Sequence, residues 1–525
     1  MKILVSDPIA QRGVEIFQEA GFEVTVKTDH TPEELEAAIS AYDGLIVRSQ
    51  TKVTADVINA AVRLKVIGRA GVGVDNVDVP AATKRGIIVM NAPDGNTIST
   101  AEHTVAMLLS LSRNIPQAYA SLKAGKWDRK KYTGVEVRGK ILGIIGMGRI
   151  GTVVAKIMQG MEMQVWAFDP YLSEEKAGQM GVKIAALQEI IRNADYITVH
   201  TPLTPETKGM IGAKELEMAK PNLRIINCAR GGIIDERALA EAVAKGKIAG
   251  AAVDVFTKEP PEDRILMEVD NIVVTPHLGA STIEAQENVA VDVAVEMVKA
   301  LKGEAFKNAV NLPAVRPEVL AVIKPYLGLA ERLGLFLSQI TKGGLKNVRI
   351  EYHGELANTD VAPLTTAVTK GLLSPSIGEE VNLVNAPNLA KERGLSITES
   401  KNAALEDYAN LIRVTLATEK GEHSVAGTLF GRDNIRIVQV DDFHIDAVPA
   451  GYILFAFHTD QPGIIGKVGT ILGYNNINIA GMQVGRKSAG GKAVMAMNVD
   501  SQISRKILTE IAGVQGIHQA DMVIF

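Results

Sequence analysis

Two groups of residues in this 525-residue chain have the types and spacing to do chemistry. The first is Gly146-Met-Gly148-Arg-Ile-Gly151, placed directly after the apolar run ILGII. In such a strand–turn–helix the first glycine bends the chain, the second admits a pyrophosphate against the backbone, and the third packs helix on strand. The unpaired N–H groups and positive end of the helix then face the phosphates. A second apolar run ends at Asp169, about 18 residues beyond Gly151 and close to the roughly 20 expected for an acid that grips ribose hydroxyls. A carboxylate there repels a 2′-phosphate, so the cofactor read from these residues is NAD rather than NADP. The second group sits at three later strand-like runs. RIINCA leads to Arg230, AAVDVFTK to Glu259 and NIVVTP to His277. An imidazole titrates near neutrality and can take a hydroxyl proton. A paired carboxylate fixes its tautomer and favours its protonated form. A guanidinium binds a carboxylate in bidentate fashion and polarises an adjacent carbonyl. Each residue alone is more often a buried histidine or one half of a surface ion pair. Together, behind a dinucleotide motif, they point to hydride transfer at a 2-hydroxy acid. Cys228, beside the arginine, reads as a small buried filler.

Open α/β sheets hold ligands beyond the carboxyl ends of their strands, so these residues need parallel strands ending together. Val- and Ile-rich runs at 2–7, 23–27, 44–49, 66–70 and 87–91 alternate with helical patterns, one of which, TPEELEAAIS, opens at Thr31 as its expected N-cap. A second series runs through 141–145, 164–168, 196–200, 223–227, 251–255 and 272–275. The expected fold is α/β, with two doubly wound parallel-sheet domains of Rossmann or flavodoxin-like type. A helix over 281–302 is expected to return to the first sheet. That makes the first domain discontinuous (1–97 plus 283–312), around a cofactor-binding domain at 98–282. VNLPAVRP (310–317) reads as a linker to an intervening α+β domain at 317–449, in which a helix near 327–340 and strands at 347–352 and 435–440 are expected. Residues 451–525 follow β-α-β-β-α-β, the ferredoxin-like order.

Composition narrows the function classes. Hydrophobic residues make up 46% and charged residues 22%, the balance of a globular protein. A net charge of −4 supplies no basic field for nucleic acid or an anionic membrane. One cysteine excludes an internal disulfide and suits a reducing compartment. The N-terminus lacks the pattern of a signal peptide, and apolar runs are short, so a soluble cytoplasmic enzyme is expected. No metal is expected at the site.

The strings GRAGVGVDNVD, GMGRIG, HTPLTPETKGMI, NCARGGIIDE, DVFTKEPP and TPHLGAST resemble the D-isomer-specific 2-hydroxyacid dehydrogenase family up to about residue 315. HTDQPGIIGKVG and the pattern after it resemble an ACT domain. The whole chain is similar to the long branch of that family, whose members oxidise a phosphorylated 2-hydroxy acid at the entry to L-serine biosynthesis. The resemblance implies Arg230, Glu259 and His277 as the catalytic set. It implies cofactor contacts at Arg149, Ile150, Asp169, Thr201, Cys228, Ala229, Arg230, Asp254, His277 and Gly279, besides Gly146, Gly148 and Gly151. Many members have threonine where this chain has Val72. Substrate contacts are implied at Arg48, Arg69 and Asn96; both arginines follow apolar strands, and two guanidiniums at a cleft suit a phosphate. In GKWDRKKY, Arg129, Lys130 and Lys131 reach a neighbouring subunit's site in related enzymes. The ACT resemblance implies an L-serine effector site with His458, Asp460 and Asn478 at a subunit interface, within a homo-oligomer (dimer or tetramer). From their positions beside the first strand's end and at the second strand's start, these three are expected to converge near one edge of the small sheet. Other readings remain open: a glyoxylate or hydroxypyruvate reductase, a D-lactate-type enzyme, or a non-enzymatic NAD-sensing corepressor.

Overall fold

In the computed structural model, residues 1–313, 317–378, 380–404 and 407–525 are described. The linker expected over 310–317 therefore lies partly outside them. Short runs of Val, Ile and Leu become strands covered on both faces by helices, as parallel sheets require. The first sheet contains β1 (Lys2–Val5), β2 (Glu23–Val26), β3 (Gly44–Val47), β4 (Val66–Arg69) and β5 (Ile88–Asn91), all parallel in the order β2-β1-β3-β4-β5. Between β2 and β3, Thr31 caps the helix Pro32–Ala38 and forms a capping box with Glu34. β1 stops short of Asp7 because the Asp7 carboxylate turns to accept hydrogen bonds from the backbone N–H groups of Arg48 and Thr51.

The second sheet contains β6 (Ile141–Ile145), β7 (Gln164–Phe168), β8 (Lys183–Ile184), β9 (Tyr196–Val199), β10 (Arg224–Asn227), β11 (Gly250–Val253) and β12 (Ile272–Val274). All are parallel, in the order β12-β11-β10-β9-β6-β7-β8. The two-residue β8 is too short to leave a periodic signal in the sequence. Strand order reverses between β6 and β9, which opens a crevice beyond their carboxyl ends. The helix Ile283–Lys302 then returns to the first sheet, burying Val293 and Met297 among its core residues. Asn311 fastens the segment after it, accepting from Val89 N–H at 2.9 Å and donating to Ile87 O at 2.9 Å.

The rest of the chain forms two antiparallel-rich sheets. β13 (Leu345–Gly354), β14 (Ser396–Asn402), β15 (Asn410–Thr418), β16 (Gly421–Phe430), β17 (Asn434–Val440) and β18 (Phe443–Ala447) make a mixed sheet in the order β14-β13-β15-β16-β17-β18. The helices Pro317–Ile340 and Ala362–Ile377 pack beside it. β19 (Tyr452–Thr459), β20 (Ile479–Arg486), β21 (Lys492–Val499) and β22 (Ile517–Ile524) form an antiparallel sheet in the order β20-β21-β19-β22, the ferredoxin-like topology. One face packs under its own two helices, with Val468 and Ile511 buried in that core. The other face shares one core with the preceding sheet: Ile453, Phe455 and Val494 lie with Phe443 and Ile445, and Phe455 meets Phe336 edge-on at 5.2 Å. The two C-terminal units are thus fused through packing. Their contact with the first domain includes an Asn382 hydrogen bond to Gly86 O at 2.9 Å and a Lys84–Glu392 ion pair at 3.7 Å. Among the described residues, no helix is long and apolar enough to cross a membrane.

Candidate active site

At the crevice, β6 runs through the glycine turn into the helix Arg149–Gly160, with Gly148 at its N-cap. Gly146 adopts φ 95°, and a Cβ there would lie 2.7 Å from the His200 carbonyl oxygen. A Cβ on Gly151 would collide with the Gly146 carbonyl, whereas one on Gly148 would meet open space. The middle glycine thus leaves the helix N-terminus accessible to an anion, while the outer two allow the tight turn and close packing. Ile150 is half-buried against the core behind this turn. Asp169, just beyond β7, accepts from Met147 N–H and Tyr171 N–H, each at 2.8 Å, so its carboxylate also braces the turn. On the far side of the crevice, Thr201 Oγ1 is buried without a hydrogen-bond partner. His200 next to it is partly buried, and loss of water pushes its pKa down to about 4, too weakly basic to rival His277. Arg149 reaches Asp94 at 2.5 Å.

The loop after β10 carries Arg230. Asn227 shapes it, accepting from Ala229 N–H at 3.1 Å and donating to Arg230 O at 2.9 Å. Gly231 has no Cβ to strike the Phe256 carbonyl group, so the loops after β10 and β11 can stack. Phe256 N–H in turn donates to Glu259 Oε1 at 3.1 Å, and Glu259 Oε2 lies 2.7 Å from His277 Nδ1. Burial pushes the Glu259 carboxyl up, but the hydrogen bonds from His277 and Phe256 outweigh it and hold it below its ordinary range. The carboxylate charge beside His277 is therefore present throughout the neutral range.

His277 sits at φ 54°, a left-handed conformation that costs about 1 kcal/mol or more. Asp254 holds it there. Its backbone carbonyl accepts from His277 N–H at 2.9 Å, while its carboxylate accepts from Leu278 N–H at 2.7 Å, Gly279 N–H at 2.8 Å and Thr275 Oγ1 at 2.6 Å. His103, on the helix Thr97–Arg113, adds a contact to the same carboxylate at 3.2 Å. Burial alone would raise the Asp254 carboxyl; the His103 and Thr275 hydrogen bonds reverse that and lower it. His103 and Thr275 carry no signal in the sequence: a histidine within a helix looks like any satisfied core residue, and its partner lies far along the chain. Cys228 comes near this cluster, and burial, then the Asp254 charge, push its pKa up to about 12. It stays a thiol, and both Asp254 oxygens are occupied by the loop.

Across the cleft, Arg69 closes β4 and is largely buried, with its Nε lacking a partner. Burial, then the charges of Arg230 and Arg48, lower its pKa to about 10. Arg69 thus lies within reach of two like charges, and an anion beside it relieves the repulsion. Arg48 Nη1 reaches Pro8 O at 3.4 Å, and Asn76 buttresses the Arg48 carbonyl at 2.7 Å. Asn96, at the N-cap of Thr97–Arg113, makes no capping bond with its side chain, and its Oδ1 is buried unpaired. The Val72 backbone carbonyl accepts from Asn91 Nδ2 at 2.6 Å.

Comparison with known proteins matches three segments of the chain. Residues 105–279 match the family model "D-isomer specific 2-hydroxyacid dehydrogenase, NAD binding domain", 322–441 the "D-3-phosphoglycerate dehydrogenase intervening domain", and 452–515 the ACT domain. D-3-phosphoglycerate dehydrogenase of Archaeoglobus fulgidus is 47% identical over 526 residues, covering 100% of both chains. That of Bacillus subtilis is 46% identical over 516 residues, 98% of both. The chain belongs to the D-3-phosphoglycerate dehydrogenase family. It is an NAD-dependent oxidoreductase. An NAD-bound 3-phosphoglycerate dehydrogenase of Entamoeba histolytica superposes with TM-score 0.51 at 30% identity, covering 59% of this chain and 98% of that one. A D-lactate dehydrogenase of Escherichia coli does so with TM-score 0.53 at 28%, covering 59% and 100%. The residues present fit NAD: an open N-terminus at Gly148, an unpaired Thr201 hydroxyl, and Asp169 at the end of β7.

The three residues expected at the effector site behave differently. His458 is 2% exposed, with Nδ1 on Thr459 O at 2.9 Å and Nε2 buried without a partner. Asp460 is taken by Arg486 at 2.7 Å, which holds its carboxyl below the usual range. Asn478 donates to Asp500 at 2.8 Å. The expected convergence does not occur within one chain. His458 pairs with Ala493, whereas Ile479, beside Asn478, pairs with Val499 and hence aligns with Tyr452. The connecting helix returns the chain to the end where β19 began, so β20 starts level with the start of β19, with β21 between them. Some six residues at ~3.3 Å each put Asn478 roughly 20 Å from His458 along the strands.

Proposed function

We propose that this chain oxidises D-3-phosphoglycerate to 3-phosphohydroxypyruvate with NAD, the first step toward L-serine. The observation that carries this reading is a largely buried Arg69 that feels the charges of both Arg230 and Arg48, with the Arg230 loop stacked on Phe256, whose N–H holds the Glu259 paired with His277. Relatives of the same full length bear that enzyme's name. In this reading residues 1–97 and 283–312 form the substrate domain and 98–282 the cofactor domain. Gly146, Gly148, Arg149, Ile150 and Gly151 receive the pyrophosphate, Asp169 the ribose, and Thr201, Cys228, Ala229, Asp254 and Gly279 the remainder. Bound there, NAD supplies the hydride acceptor. Arg230 holds the substrate carboxylate, and Arg48, Arg69 and Asn96 hold the phosphate end. Glu259 on Nδ1 leaves His277 Nε2 to remove the hydroxyl proton, and its charge stabilises the imidazolium that results. In the reverse direction His277 returns the proton while Arg230 polarises the keto group.

A reductase of glyoxylate or pyruvate is the second reading, because shorter enzymes share this catalytic fold. NADH consumption with 3-phosphohydroxypyruvate, glyoxylate and pyruvate separates them. The proposed reading expects the phosphorylated acid to have by far the highest kcat/KM; comparable values for all three would overturn it.

The same reading gives the ACT sheet an L-serine site shared by two subunits of a cytoplasmic homo-oligomer. β20 is an edge strand with Ala480, Met482 and Gln483 exposed. If two such edges pair antiparallel, the Asn478 end of one chain meets the end of the other that carries His458 and Asp460. A further surface suits a second copy: Ile115–Lys123 buries no residue and exposes Ile115, Tyr119 and Leu122 by 52%, 65% and 57%. Calorimetry on the intact oligomer tests the effector; absence of serine binding would leave the module structural.

A further inference from the structure

Asp75 lies in the loop after β4 and faces Arg230 across the cleft. Its Oδ2 stands 3.4 Å from Arg230 Nε, although the Asp75 side chain is 79% exposed. Gly73 permits this meeting: a Cβ there would overlap the Arg230 guanidinium and come within 2.6 Å of Asp75 Oδ2. Two carboxylates, Asp7 and Asp75, offset the positive charge around Arg69. They are not equivalent. Asp7 is buried and committed to the protein, accepting from the N–H groups of Arg48 and Thr51 and from the Thr51 hydroxyl. Asp75 is solvent-facing, and among the described residues its ion-pair partner is Arg230. Such a carboxylate can leave at little cost, since exposed ion pairs are weak and screened by salt.

We propose that Asp75 is a displaceable counter-ion for Arg230, competing with the carboxylate of substrate and product for that guanidinium. This rests on the reading that Arg230 binds the ligand carboxylate. The competition keeps the guanidinium held toward the cleft and lowers affinity for both ligands, which hastens departure of product. Removing the charge should therefore strengthen binding, the opposite of what loss of a supporting residue does.

The test uses the full-length chain and three variants: Asp75→Asn, Asp75→Glu and Arg230→Ala. KM for 3-phosphohydroxypyruvate with NADH is measured for the two Asp75 variants. The affinity for sulfate, a simple anion probe, is measured by calorimetry for all three. For Asp75→Asn at low ionic strength, KM and the sulfate Kd should both fall, by about 2–5-fold for an exposed pair. The gain should vanish in high salt, and Asp75→Glu should stay near the parent protein. An unchanged or raised KM in Asp75→Asn overturns the inference. Arg230→Ala should weaken sulfate binding; if it does not, the reading of Arg230 as the anion site fails as well. If it does while Asp75→Asn changes nothing, only the role of Asp75 falls.

Discussion

The catalytic cleft and the C-terminal sheet each present a small set of polar residues at strand ends, yet only the first set meets within one chain. In the second sheet of the catalytic half every strand runs the same way, so the loops after β10, β11 and β12 open at one edge. Arg230, Glu259 and His277 are thereby delivered to one place. In the antiparallel sheet neighbouring strands reverse, and β19 and β20 are parallel but separated by β21. The end of one and the start of the other consequently lie at opposite ends of the sheet along the strand direction. Residues at the ends of parallel neighbours share one side of a sheet, whereas the end of one strand and the start of another parallel to it do not, because strand direction decides what a strand end can reach.

The largest expected effect lies in the cleft. His277→Ala should cut turnover by about 10²–10⁴-fold, the usual contribution of a general acid–base group. NADH binding, followed by fluorescence, should persist. A variant that keeps most of its turnover would mean that the proton leaves by another route. Next comes Arg69→Ala, whose lost charged hydrogen bonds should raise KM for the phosphorylated 2-oxo acid by roughly 10–100-fold. KM for glyoxylate should move little; equal losses on both would assign Arg69 to the fold or to the carboxylate. Because Arg69 is buried with an unpaired Nε and two like charges nearby, Arg69→Met should in addition raise Tm while binding fails. A lower Tm would show that the arginine supports the structure.

Smaller effects sharpen the comparison further. Asp169→Ala should weaken NAD binding and narrow its advantage over NADP, as read from binding titrations with each cofactor. Since Asp169 also braces Met147, part of the loss will come from a looser turn. Glu259→Gln should lower kcat/KM for oxidation, because a neutral amide no longer makes the charge-assisted bond that orients His277 Nδ1. The folded-state pKa of Glu259 is depressed, so its pairing with His277 contributes stability that is full above the unfolded value. That stability is lost as pH falls through the lower, folded value. An unchanged kcat/KM would make Glu259 purely structural. Asn478→Ala should relieve serine inhibition with catalysis retained, measured as NADH formation with and without L-serine.

Much of the catalytic half was legible because its signals are local. Apolar runs of four or five residues mark buried parallel strands, Thr31 with Glu34 marks a helix start, and a glycine turn followed by an acid marks a nucleotide crevice. What the sequence withheld depends on contacts between distant segments. His103 meets Asp254, and Asp75 meets Arg230, only after two sheets have assembled. The intervening unit resisted for another reason. Ala362–Ile377 is apolar on most sides and carries Pro375, so it shows no amphipathic period, and β14–β16 hold no chemical motif. The C-terminal sheet is buried on both faces, as the pattern of β21 shows, which blurs the alternation that marks a solvent-facing strand.

The contrast between a cleft complete in one chain and the effector site proposed to be shared by two is tested most directly by subunit complementation. Two mixtures of variant chains are co-assembled, and NADH formation is followed with and without L-serine. Mixing His458→Ala with Asn478→Ala chains should restore part of the serine inhibition, because each mixed interface regains one intact pairing. Mixing His277→Ala with Arg230→Ala chains should restore no activity, because the catalytic residues act within a single chain. Recovered activity in the second mixture, or no recovered inhibition in the first while the parent protein is inhibited, would contradict the account.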